Sequence, residues 1–132
     1  MTIDEMEDRF AIHELIALYG HLIDEGEWHR LGELFTDDIV FDTSAFEHGE
    51  ITEGLARLAA DWATPGWPHP VAHHATNIVI RTLELDRAEV LSKGIGVGRK
   101  GRVGSVTYRD TLVKSAAGWR IKHRVAQLQR GR

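Results

Sequence analysis

The sequence predicts an α+β fold in a single domain, residues 1–132, with mainly helices first and an antiparallel sheet after them. Three observations predict it. Apolar residues keep a helical period over the first 25 positions. From position 73 the pattern changes to extended segments of alternating polarity, and 132 residues suit one hydrophobic core. Helices that lead, with strands following rather than alternating with them, give the order of an α+β domain. Helices covering one face of a strongly curved sheet would enclose a pocket.

Residues 4–25 read as the first helix, because Ile12, Leu15, Ile16, Tyr19, Leu22 and Ile23 fall on one stripe. Ala17, Gly20 and Asp24 make an adjacent line of small or polar residues, where a sheet could approach closely. Gly26 ends the helix. A second, short helix follows in "EWHRLGELF", with Trp28, Leu31 and Leu34 inward, and "TDD" turns the chain into a strand, "IVFDT". Residues 52–63 suit a third helix with Thr52 as its N-cap, stopped by the three prolines of "TPGWPHP". Four strands are then expected: "HHATNIVIRTLEL", "AEVLSKGIGVG", "RVGSVTYRDTLVKS" and "GWRIKHRVAQLQ". The turn signals "DR", "RKG" and "SAAG" separate them.

Charge is unevenly distributed. Residues 1–92 carry 5 Lys/Arg against 19 Asp/Glu, a net −14, and residues 93–132 carry 11 against 1, a net +10. The basic residues alternate with apolar ones, as on the solvated face of a strand, and no stacking aromatics interleave them. Nucleic acid is therefore not an expected partner. No apolar run has the length of a membrane span, so no membrane association is expected. The chain has no cysteine and its first ten residues are acidic, which favours a cytoplasmic setting. No H-x-x-x-H pair or cysteine ligand suggests a metal, "GIGVGRKG" has no helix after it to hold a phosphate, and no G-x-S-x-G supports a serine nucleophile. No cofactor is expected.

The residues that could carry chemistry are dispersed. Asp24 lies beside the small-residue line near the end of the first helix; taken alone it is a solvated carboxylate in "DEGEW". Tyr19 sits in the apolar stripe and reads equally well as core. His73 and His74 stand at a strand entry, where neighbouring side chains point to opposite faces, so only one can enter a pocket. Such a histidine is a candidate general base, particularly with a carboxylate to fix its tautomer.

Three blocks carry a family resemblance: "YGHLIDEGEWHRLGELFTDD", "HHATN" and "YRDTLVKSAAGWRIKHR". In this order and spacing the chain resembles the SnoaL-like branch of the nuclear transport factor 2-like superfamily. The resemblance covers nearly the whole chain and implies a cystatin-like cone, in which three helices pack on a curved sheet around a deep pocket. Its site pattern is most similar to the family's elimination enzymes: bile-acid dehydratase, hexachlorocyclohexane dehydrochlorinase and scytalone dehydratase. These use a histidine base held by an aspartate of the first helix. The resemblance carries those roles to His73, in its H-x-x-T-N frame, and to Asp24. It leaves His74 to the other face unless a bulge at the strand entry reverses the choice.

The resemblance also implies functional roles for Tyr19, five residues before the aspartate, and for Arg124, five after Trp119 of the last strand. His123 would substitute if the register were shifted. The scytalone pattern fits less well, because its tyrosine directly before the aspartate is Ile23 here. Phe41, Phe46, Trp62 and Trp67 are candidate substrate-binding walls for a flat hydrophobic molecule, and each could equally be core. The expected function is a cofactor-independent lyase or isomerase of dehydratase type, acting on a small hydrophobic, cyclic substrate. The alternatives are a polyketide-type cyclase and a non-catalytic ligand-binding or small-subunit role, as in ring-hydroxylating dioxygenases. The family also implies a homo-oligomer, a dimer or trimer.

Overall fold

The computed structural model describes residues 1–132. Helix α1 spans Ile3–Asp24 and opens with a reciprocal cap: Glu5 N–H donates to Thr2 Oγ1 at 3.1 Å and Thr2 N–H to Glu5 Oε2 at 3.0 Å. Its buried face is the expected stripe plus Asp8 and Gly20. Gly26, at φ 66°, takes the left-handed conformation that turns the chain away. The second helical segment is a 3₁₀ helix, Trp28–Glu33.

Strand β1 (Phe35–Asp42) follows, then β2 (Ile51–Glu53) and α2 (Leu55–Trp62). The expected third helix is thus shorter than 52–63, and Thr52 does not cap it. Thr52 is extended in β2, buried, and paired with Phe41 across an antiparallel ladder. Gly54, at φ 93°, occupies the cap position instead. The reason lies in a tertiary partner: the free edge of β1 pairs with 51–53, a source of hydrogen bonds that local propensity does not reveal.

Strands β3 (Ala72–Leu83), β4 (Arg87–Val97), β5 (Val103–Ser115) and β6 (Gly118–Leu128) form a meander, and a short 3₁₀ turn, Arg99–Gly101, joins β4 to β5. The sheet runs β2-β1-β6-β5-β4-β3, antiparallel except for β1 beside β6. It is curled and unclosed, and α1 lies in its concavity against β3 and β6. Asp8 anchors α1 there, accepting hydrogen bonds from Trp119 Nε1–H at 2.9 Å and Lys114 Nζ at 2.8 Å. No helix is long and apolar enough to cross a membrane.

Strand register decides which side chains enter the concavity. In β3 the ladder to β4 is regular over Ala72–Thr76 and shifts only beyond Thr76, near Asn77, whose φ is 53°. In β6 the pairing moves from His123 opposite Thr111 to Ile121 opposite Leu112, so Lys122 is an extra residue. This bulge places Ile121 and Arg124, three positions apart, on the same inner face.

Candidate active site

The site forms where α1 ends against β3. At Gly20 the helix comes so close that an added Cβ would stand 2.6 Å from the carbonyl oxygen of His73. The small-residue line read from the sequence is therefore the line of contact. One turn further on, Asp24 reaches His73 twice. Its Oδ1 lies 2.6 Å from His73 Nδ1, and its two oxygens accept from the His73 backbone N–H at 3.1 and 3.0 Å. A carboxylate only accepts, so the neutral ring carries its proton on Nδ1, and Nε2 is left with the lone pair. His74, paired opposite Ile95, is exposed on the outer face.

His73 lines a cavity of about 760 Å³, together with Tyr19 and all four expected wall residues: Phe41, Phe46, Trp62 and Trp67. Trp62 sets its ring edge-on to Phe41, with centroids 5.3 Å apart, and to Tyr19 at 6.3 Å. Tyr19 in turn meets the His73 ring edge-on at 5.8 Å. Such contacts hold the walls in fixed rotamers.

Arg124 is placed differently from the expectation that it would face the substrate. It is 1% exposed and does not line the cavity. Its Nε and Nη2 donate to Asp110 Oδ1 and Oδ2, both at 2.8 Å, and Nη1 is buried without a partner. Its Cζ lies 4.5 Å from the Tyr19 ring centroid and 4.0 Å from that of Tyr108. Burial works against the guanidinium's charge, but Asp110 more than offsets this and holds its pKa above the ordinary value. The same burial pushes the Tyr19 hydroxyl well up, with Tyr108 adding to the rise and Arg124 opposing it. Tyr108 is likewise raised by burial, against the pull of Arg124. Both phenols therefore stay protonated donors at neutral pH.

Sequence reasoning missed Tyr108, Asp110 and His69. Asp110 carried a usable signal, as the single acid among residues 93–132. Tyr108 lines the cavity from β5. His69, between two prolines, also lines it; its ring stacks on Trp28 at 5.1 Å, and Nε2 lies 2.9 Å from the Trp62 carbonyl oxygen. No group of three or more His, Asp or Glu side chains is placed to hold a metal ion.

A cone of curled sheet and helices around such a cavity is the nuclear transport factor 2-like, cystatin-like fold, and solved structures share it. One is an NTF2-like protein from Novosphingobium aromaticivorans, 29% identical, covering 98% of this chain and 87% of that one with a TM-score of 0.83. The SnoaL-like domain family matches residues 4–125, and the chain belongs to that family. A candidate scytalone dehydratase from the same organism is 24% identical, with 98% and 89% of the two chains covered and a TM-score of 0.78. The structure of LinA is 20% identical, with 97% and 90% covered and a TM-score of 0.78. At these identities the last two likenesses speak for the fold. No curated protein matches the chain in sequence.

Proposed function

We propose that the protein is a cofactor-independent lyase or isomerase in which His73 removes a proton from a small hydrophobic, cyclic substrate. The observation that carries this reading is the 2.6 Å contact between His73 Nδ1 and Asp24 Oδ1 at the wall of an aromatic cavity. The Asp24 carboxylate holds both the backbone N–H of His73 and its ring Nδ1, so the base is pre-oriented at little entropic cost. Nε2 takes a proton acidified by a neighbouring carbonyl, and the carbonyl oxygen gains the negative charge. In dehydration the imidazolium returns that proton to a β-hydroxyl, which departs as water; in isomerisation it returns the proton to another carbon. The same groups serve both outcomes.

The test has two parts. β-Hydroxy carbonyl compounds are screened for water loss through the absorbance of the conjugated product. On a turned-over compound, His73→Gln and Asp24→Asn should each lower kcat by about 10²–10⁴-fold with the fold intact. Independently of substrate, ¹⁵N NMR of the His73 ring should show the Nδ1–H tautomer in the wild type and a loss of that preference in Asp24→Asn. Full turnover in both variants would refute the proposal.

A further inference from the structure

The hairpin between β4 and β5 carries charge that nothing else in the protein answers. Its tip, "GRKGR" at 98–102, places Arg99, Lys100 and Arg102 close together, and all three are exposed. None of them enters an ion pair, whereas Arg30, Arg57, Arg87, Lys114, Lys122 and Arg124 each have a carboxylate partner. No local acid is free to serve, since Asp110, the single acid of residues 93–132, is held by Arg124. The tip is a defined turn. Gly98 N–H donates to the Arg102 carbonyl oxygen at 2.6 Å, and Lys100 and Gly101 are left-handed at φ 64° and 74°.

Arg102 lines the cavity, and no other Lys or Arg side chain does. The two acids of the lining, Glu47 and Glu50, come from the segment between β1 and β2. Glu50 pairs with Arg57 at 3.3 Å, and Glu47 lies 3.6 Å from His48. Register ties Arg102 to the base. His73 on β3 stands opposite Gly96 on β4, Gly96 stands opposite Gly104 on β5, and Arg102 lies two residues from Gly104 on the same face. Two strand spacings and two residues of rise put the Cα atoms of His73 and Arg102 about 12 Å apart, and both side chains reach inward from there. Little fills the strip between them. A Cβ on Gly104 would meet nothing within 4 Å, and one on Gly96 would meet only the Pro70 ring, 3.3 Å away.

We propose that the substrate carries a carboxylate remote from its reacting carbon, and that Arg102 binds this group at the cavity mouth while the ring lies toward His73. The inference rests on the proton-abstraction reading and names its substrate class. A guanidinium takes a carboxylate through two parallel N–H···O bonds, which fix direction as well as distance. One arginine and two glutamates share the lining, so a singly charged carboxylate suits the mouth better than a doubly charged phosphate. Binding energy from this unreacting end orients the C–H bond at Nε2.

The probes are phenylacetate, 3-phenylpropionate and 4-phenylbutyrate, each compared with its primary amide at neutral pH. Tryptophan fluorescence is the readout, because Trp62 and Trp67 line the cavity. The best acid should bind more tightly than its amide by about tenfold or more. Arg102→Gln should abolish that preference and leave the amide's affinity unchanged. Arg99→Gln combined with Lys100→Gln should leave the preference within about twofold, as expected of exposed charges that touch no ligand. Equal affinity for acid and amide, binding of neither, a preference that survives Arg102→Gln, or one that the Arg99 and Lys100 changes remove equally would each overturn the inference. These are binding measurements, and His73→Gln should keep the preference, so their outcome is separate from the turnover test of the dyad.

Discussion

Removing Asp110 should be among the most destabilising single changes available in this protein. The Asp110 and Arg124 side chains are 0% and 1% exposed, joined by two charge-assisted hydrogen bonds of 2.8 Å. In Asp110→Leu the guanidinium loses both bonds and its counter-charge, and Nη1 is already without a partner. Leaving one member of such a pair alone costs about 3–5 kcal/mol, since the unpaired charge keeps its desolvation penalty. For a chain of this size that is a fall in Tm of about 10–20 °C. Arg124→Met alone leaves a buried carboxylate and should cost a similar amount. The double variant, Asp110→Leu with Arg124→Met, removes both charges, and it should recover most of the loss. Urea denaturation of the four proteins gives the cycle directly. A loss below about 1 kcal/mol in Asp110→Leu would refute the reasoning. So would a double variant no more stable than the singles, because the cost would then belong to packing rather than to charge.

Gly20→Ala should damage the site more than its size suggests. The new Cβ meets backbone, 2.6 Å from the His73 carbonyl oxygen, so the helix or the strand must move. The expected cost is about 1–3 kcal/mol, with the Asp24–His73 contact disrupted. Denaturation and the His73 ¹⁵N spectrum read both effects, and an unchanged spectrum at full stability would contradict the close approach. Asp8 predicts a pH dependence. The hydrogen bond from Lys114, then that from Trp119, holds its pKa below the ordinary 3.8. A depressed carboxylate contributes stability above its unfolded pKa and loses it as pH falls through the folded one. Asp8→Asn should therefore be less stable than the wild type at pH 7, and the gap should narrow as pH drops below about 4. A gap constant over that range, measured by urea denaturation, would show that the charge is not what Asp8 contributes.

Local pattern reaches a long way in this chain. The 3.6-residue period from Ile12 to Ile23 is a property of neighbouring residues and depends on no partner. It identified both the buried stripe of α1 and the small-residue line at Gly20 on which β3 closes. Strand alternation sets His73 and His74 on opposite faces, as the regular ladder of β3 to β4 from Ala72 to Thr76 does, while the choice of His73 as the inner one came from the resemblance. The four wall residues expected from Phe41 to Trp67 all face one cavity. Thr52 was misread because its partner, the edge of β1, lies ten or more residues away and a helix N-cap is the cheaper local explanation.

Asp24 and His73 were legible as candidates through the family resemblance, on two predictable elements, whereas taken alone each reads as an ordinary helix-end or strand-end residue. Their meeting was expected from the resemblance alone and not from local pattern, since 49 positions separate them and the seating of α1 in the curled sheet closes that distance. The role of Arg124 was decided by tertiary structure alone. Strict alternation counted from Trp119 would turn it outward and bring His123 in. The extra residue at Lys122 reverses the parity, and Asp110 on the neighbouring strand then receives the charge. Sequence determined which elements form and which face of each is apolar, because those follow from side chains a few residues apart. Register, bulges and the pairing of buried charges followed from the packing of whole strands, because the free energy of each depends on a partner that the local chain does not contain.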